Sequence, residues 1–377
     1  MTLLAESAGR LLEHIGNCMP RGMTVHDRTR LIGQLLPYMF FSLLNSINDQ
    51  LVNFNQQPLL LFSGLFFFAI ISLLASLLFG SVHISGFDIA HILIHPTDTP
   101  RSTIIWELRL PRTLTAFACG SLLAIAGALL QVLLRNPLAD PYILGISGGA
   151  SVGALTAMIL GWAASSINIA SLTGALIIMG LIFSLNFRTT TWNIYRLLLI
   201  GVVLSAVCNA ITTLILSLAP AQDMKGMLFW LMGDLSRSEA SVFTWLTLLI
   251  VFVTSTLLAS ELNVLSIGSL KAQSLGVAVN TLQILILLTT SIATVAALMQ
   301  AGAIGFIDLL TPHAIRLAGI NDYRWLIPCV TLLGGGFLVL ADTLARTVWS
   351  PQQLPVGVIT ALLGSPLLLI LLMRKRF

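Results

Sequence analysis

Ten runs of predominantly apolar residues, each near the roughly 20 residues that a helix needs to cross a bilayer, constrain this chain more than any other feature. They fall at about 58–79, 113–134, 142–163, 167–187, 197–219, 241–260, 280–301, 302–319, 325–345 and 354–373, with the seventh and eighth abutting. None shows the polar–apolar alternation of an outer-membrane barrel strand. A bilayer gives the backbone no water partner, so the runs predict helices. Composition agrees: 56% of the residues are hydrophobic, 9% are charged and mean hydropathy is +0.95, outside the soluble globular range. The expected fold is an all-α polytopic membrane protein of about ten transmembrane helices.

Basic residues set the orientation. With both termini in the cytoplasm, thirteen of the 19 Lys and Arg lie inside (Arg10, Arg21, Arg28, Arg30, Arg135, Arg188, Arg196, Lys271, Arg316, Arg324, Arg374, Lys375, Arg376) and six outside (Arg101, Arg109, Arg112, Lys225, Arg237, Arg346). Cytoplasmic loops carry the basic excess, so the count supports this topology, although the four N-terminal Arg stand too far from a span to weigh much. The net charge of +4 is therefore a topology signal, and no clustered basic patch points to nucleic acid. Cys18, Cys119, Cys208 and Cys329 are scattered without CxxC spacing. They read as small apolar fillers, so neither a metal nor a cofactor is expected.

Residues 1–57 differ from the rest in holding Pro, Asn, Gln and several charges, and their apolar piece LLPYMFFSLL is about half the length of a span. No A-x-A-like cleavage site follows it. The expectation is a cytoplasmic N-terminal arm, partly disordered or interfacial, before a membrane domain over 58–377. Met19, Met23 and Met39 leave an internal start open.

Between the second and third runs the chain reads RNPLADP, where Pro137 and Pro141 cannot continue a helix and Asn136 and Asp140 suit turn and cap positions. Gly145, Gly149 and Gly153 follow at every fourth position, a stripe without side chains that lets neighbouring helices approach closely.

The stretch RLPRTLTAFACGSLLAIAGALLQVLLRNPLADPYILGISGGASVGAL resembles the signature of the FecCD family, the membrane subunits of bacterial ABC importers for iron–siderophore, haem and vitamin B12. The resemblance continues through LNVLSIGSLKAQSLGV, GAIGFIDLLTPHAIRLAGINDYRWLIP and ADTLARTVWSPQQLPVGVITALLGSP, in the family's order over about 58–377. It implies a ten-helix permease domain in a bacterial inner membrane, paired with a second copy of itself around one pathway. It also implies two partners, an ABC ATPase subunit dimer and a periplasmic or lipoprotein substrate-binding protein. Arg109, Arg112 and Arg346 stand where the family meets acidic residues of the binding protein, a complementarity that orients docking. Snorkelling to headgroups accounts for an isolated Arg equally well. The family docks its ATPase on the segment carrying Gly268, Ala272, Leu275 and Gly276, in which Ser269 replaces a common acidic residue. A second departure is GFIDLLTPH for the usual GFIGLVVPH, which sets Asp308 near the start of a span, either lining the pathway or paired.

Some exclusions need no family. No GxxxxGK[ST] loop exists and the three Lys (Lys225, Lys271, Lys375) lie outside any Gly-rich loop, so the chain is not expected to be an enzyme and any ATP hydrolysis must come from a partner. GISG, Gly145 to Gly148, also fits an element of intramembrane serine proteases, with His313 as base for Ser147, but the span number exceeds that class. An ion-coupled secondary transporter would want ionisable residues in mid-membrane, and Asp308 is nearly alone there. The resemblance implies an iron–siderophore, haem or cobalamin cargo, with an iron chelate expected first, and the apolar MLFWLMGDLS suits contact with any of them at the outer mouth.

Overall fold

Most apolar runs become helices of about their own length here, while those at 142–163 and 302–319, which open on turns with a positive-φ glycine, become shorter ones. The computed structural model describes residues 58–374 apart from 81, 83, 96–98, 188–193, 237–240 and 351. The expected arm at 1–57, Cys18 and Arg237 lie outside the described residues. Every regular element among the described residues is helical.

Helix α1 spans Pro58–Leu78, and α2 spans Gly86–Ile94, where the Ser85 hydroxyl accepts from the Asp88 amide at 3.1 Å. Helix α3 runs over Pro100–Leu134, starting well before the apolar run at 113, with a π-helical stretch at Ile104–Arg109. A 3-10 turn at Pro141–Leu144 leads into α4, Ile146–Ile159. Then follow α5 (Ala164–Phe187), α6 (Ile194–Leu218), α7 (Ala221–Leu231), α8 (Val242–Leu257), α9 (Ala259–Ile267) and α10 (Ser269–Ser274). The chain closes with α11 (Val279–Ala301), α12 (Ile307–Leu317), α13 (Tyr323–Thr347) and α14 (Val356–Arg374).

Among the described residues, six helices are long and apolar enough to cross a membrane, seven if α8 and α9, bent by 58°, make one broken span. At ~1.5 Å per residue, the 14 residues of α4 and the 11 of α12 reach only part-way across. The run at 302–319 is thus not one helix. Gly302 takes φ 65 and ψ −162, a conformation nearly reserved for glycine, and the chain stays non-helical until α12. Its freed backbone is met by the end of α7 and the loop after it: the Asp234 amide donates to Ala301 O at 2.8 Å and the Ala303 amide to Trp230 O at 3.3 Å. Irregular backbone inside a membrane protein persists where such partners exist.

Helix α3 is the central pole. Of its most apolar stretch 89% is buried, against 11% for α6, whose flank is left for lipid or another chain. Packing against α13 is close because small residues face one another: a Cβ on Gly120 would run into the Gly334 carbonyl, and one on Gly335 into Phe117 and Ser121.

Candidate functional site

At the end of the bundle where α3 begins and α13 finishes, two guanidinium groups hold one carboxylate, and a third, that of Arg109, takes backbone carbonyls at and after the end of α1. Arg112 holds Asp342 with two prongs, Nη2 to Oδ1 at 2.7 Å and Nε to Oδ2 at 3.0 Å, while its Nη1 donates to Gln353 Oε1 at 2.9 Å. Arg346, one helical turn beyond Asp342, lies 3.5 Å from Oδ2 and donates through Nη2 to the carbonyl and hydroxyl of Ser76, each at 2.6 Å. Arg109 turns inward at the π-helical stretch, giving Nη1 to Leu77 O at 2.6 Å and Nη2 to Val82 O. Leu77 lies in the last turn of α1, which leaves acceptors without intrahelical donors, and Val82 lies in the connection that follows.

All three arginines were expected to face outward. Arg109 and Arg346 are instead buried, at 4% and 7% exposure, because the end of α1 and Asp342 occupy them. Arg112, reaching Gln353, is the one with an outward edge. Asp342, Ser76 and Gln353 were missed. ADTLAR sets an acid four residues before Arg346, a helical ion-pair spacing, so Asp342 was detectable. Ser76 and Gln353 are distant in sequence and carry no such signal.

Beside this cluster opens a cleft of about 1040 Å³. Its walls combine Trp162, Met227 and Phe229 with Asp223, Gln352 and Gln353, so it offers apolar surface and hydrogen-bonding groups together. The expectation for MLFWLMGDLS concerned these residues of α7 and the loop after it. Gln353 belongs to both features, lining the cleft and accepting from Arg112.

The opposite end is built by α9, α10 and the start of α13. The Asn263 side chain ties them, donating to Asp322 Oδ1 at 2.6 Å and accepting from the Tyr323 amide at 2.9 Å. Burial pushes the Asp322 carboxyl up, but the Arg324 amide and Asn263 outweigh it and hold the group below its usual range. Gly268 breaks the chain between α9 and α10 with φ 142, and Gly276 turns it at φ 85 with open space around it. Ala272 is fully buried and accepts the Val277 amide at 3.0 Å, so it supports the segment from within. Leu275 projects outward at 68% exposure, joined by Leu270 at 81% and Ile267 at 61%, two residues that sequence reasoning missed. The break at Gly268 resets the helical phase, which hides their common direction.

The sequence profile described as the FecCD transport family matches residues 68–374. The chain belongs to the FecCD transport family. It is 37% identical over 279 residues to the vitamin B12 import system permease protein BtuC of Klebsiella pneumoniae subsp. pneumoniae, covering 72% of this chain and 83% of that protein. To the protein of the same name from Escherichia coli O9:H4 it is 36% identical over 294 residues, covering 75% and 88%. A solved inward-facing structure of a metal-chelate type ABC transporter superposes with a TM-score of 0.71 at 30% identity, covering 83% of this chain and 99% of that one. This FecCD permease is therefore a multi-pass membrane protein of a transport family. The relatives give no support to a protease built on Ser147 and His313 or to an ion-coupled transporter.

The glycine stripe of this FecCD permease divides between two neighbours. Gly149 and Gly153 face α5, where added Cβ atoms would run into the carbonyls of Gly174 and Ala170. Gly145 precedes α4 at φ 78 and lies against Gly201 and Ser205 of α6. Asp308, expected either to line the pathway or to be paired, sits in the first turn of α12 at 1% exposure. Its backbone carbonyl rests on Gly127 of α3, where any side chain would collide, and accepts from Gln131 Nε2 at 3.3 Å. Gln131 Oε1 in turn takes a hydrogen bond from Arg316, whose Nη2 donates to the Tyr323 hydroxyl at 3.0 Å. Asp308 thus faces the packed interior in this structure.

Proposed function

We propose that this chain is the translocating subunit of a binding-protein-dependent ABC importer that carries a bulky metal chelate across the bacterial inner membrane. Gln353 carries the reading: one side chain lines the cleft and holds Arg112, so the charged cluster stands at the rim through which a cargo would pass. A corrinoid or an iron chelate presents apolar edges and many hydrogen-bonding groups, and the cleft offers both kinds of contact. The curated relatives are named for vitamin B12 import, which puts a corrinoid first and iron–siderophore or haem second.

In this reading the chain crosses the membrane ten times with both termini cytoplasmic. Crossings by α8 with α9, by α14, and by α4 and α12 each completed by the irregular backbone that precedes it, supplement the six long helices. The Arg112 end faces a substrate-binding protein and the α9–α10 end faces an ATPase dimer, which supplies all hydrolysis. The exposed apolar flank of α6, including Leu199, Val203 and Leu218, is available to lipid or a second copy. The cargo is tested by uptake of labelled cobalamin into proteoliposomes holding the permease, its ATPase and its binding protein, with ferric siderophore and haem as competitors. Saturable, ATP-dependent uptake of one chelate is expected. Failure to accumulate any of the three would overturn the substrate class.

A further inference from the structure

We propose that a small recess opening off the cleft is a subsite for a carboxamide on the rim of the cargo, kept clear by Gly226 and read by Asn168 and Gln300. The inference rests on the cleft being the cargo's route, and it deepens that reading by naming the group recognised.

The recess measures about 80 Å³ and is bordered by the start of α5, the middle of α7 and the break that follows α11. Met158, Gly226 and Asp234 line both it and the large cleft, so the two spaces adjoin. A water needs roughly 10–15 Å³, so the recess takes a group of several heavy atoms. Gly226 has no packing reason to be glycine. It lies inside α7, where glycine is less favourable than alanine, and a Cβ there would meet no atom within 4 Å. Gly149 and Gly302, by contrast, each press against a neighbouring carbonyl. Gly226 borders recess and cleft together, so a side chain at this position narrows their junction.

The polar groups of the recess define what it takes. Asn168 and Gln300 are half-buried, and no described residue hydrogen-bonds to either side-chain amide. Asp234 is held in place: Oδ1 accepts from the Ser236 amide at 2.7 Å and Oδ2 from the Ser236 hydroxyl at 2.8 Å. Lys225 lines the cleft and not the recess, which leaves Asp234 as the one charged group lining the recess among the described residues. Two amides offer donors and acceptors together, and the carboxylate offers acceptors. A primary carboxamide, with two N–H donors and a carbonyl, matches that set. A carboxylate entering the same space would meet Asp234 with like charge. A corrinoid presents several primary carboxamides at its rim and haem presents carboxylates, so the recess favours the corrinoid.

Uptake of labelled cobalamin by proteoliposomes holding the permease, its ATPase and its binding protein tests the assignment. The binding protein is the same throughout, so differences between variants belong to the permease. Gly226→Leu should keep the wild-type melting midpoint and bind the ATPase, yet lose roughly tenfold or more in uptake rate. Gly226→Ala, which adds one carbon, should melt no lower than wild type and lose less. Asn168→Leu and Gln300→Leu should each lose about fivefold in kcat/KM, the effect of one hydrogen bond. At least one cobalamin monocarboxylic acid, in which a carboxamide is hydrolysed, should enter wild type more slowly than cobalamin, and Asp234→Asn should narrow that difference. Should Gly226→Leu fail to fold, the other variants decide. Wild-type cobalamin uptake in the Gly226, Asn168 and Gln300 variants would overturn the subsite and leave the importer reading standing. Import of ferric siderophore or haem without cobalamin would overturn the carboxamide assignment, whereas import of none of the three would fail the importer reading itself. Sodium-dependent melting that Gln300→Leu abolishes would assign the polar groups to a cation, which also overturns the proposal.

Discussion

Arg112 clasps Asp342 at 2.7 and 3.0 Å, joining the first turn of the central part of α3 to the last turns of α13 across 230 residues of sequence. Arg346 approaches the same carboxylate from its own helix at 3.5 Å. Asp342 is therefore the one negative group offsetting two cations, and removing it strands a buried Arg346. Asp342→Asn should destabilise the folded protein by about 3–5 kcal/mol, the usual cost of breaking a buried pair. Fluorescence-detected thermal melts of solubilised protein check this, and an unchanged midpoint would mean that the cluster adds no net stability.

The three arginines should separate in their effects. Arg112→Glu, read on the folded fraction because it also breaks the pair with Asp342, should weaken capture of the binding protein through loss of its outward edge. Arg109→Glu and Arg346→Glu should instead lower the yield of folded protein, since both sit on internal carbonyls. Wild-type docking should weaken with salt, as the Debye length falls from ~10 Å at 0.1 M to ~3 Å at 1 M. Binding measured by surface plasmon resonance at two salt concentrations distinguishes these cases. Salt-insensitive binding that Arg112→Glu leaves intact would remove the cluster from the docking surface.

At the α10 end the outward leucines and the inward alanine make opposite forecasts. Leu270→Ser with Leu275→Ser should abolish co-purification of the ATPase and leave the melting midpoint of the permease unchanged. Ala272→Leu overfills a buried site and should cost about 1–3 kcal/mol of stability before any loss of coupling. Pull-down beside thermal melts reads both. An ATPase retained by the double serine variant would place its seat elsewhere.

Close packing can be tested against an internal control. Gly149→Leu forces a large side chain into Gly174 and Ile178, and folded protein should be lost. Gly180 has open space where its Cβ would be, so Gly180→Ala should be neutral within about 0.5 kcal/mol. Size-exclusion profiles of the two variants suffice for the comparison, and a monodisperse Gly149→Leu protein would refute the contact.

Much of the helical layout was legible because apolar run length is a strong and local signal, and α1, α5, α6, α11 and α13 lie close to their runs. The breaks were harder. Gly302 and Gly305 look like ordinary packing glycines in sequence, yet Gly302 ends α11 in a conformation few other residues adopt and shortens the next helix to 11 residues. The burial of Arg109 was hidden because it depends on carbonyls of α1 some thirty residues earlier.

On the proposed reading this chain moves a chelate only when an ATPase partner drives it. The most direct measurement is uptake of labelled cobalamin or ferric chelate by proteoliposomes containing the permease alone, with the ATPase and binding protein, and with an ATPase unable to hydrolyse ATP. Uptake should require the complete active assembly, and the isolated chain should hydrolyse no ATP, having no phosphate-binding loop. Equal uptake by the permease alone, or ATP hydrolysis by the contaminant-free chain, would contradict the account.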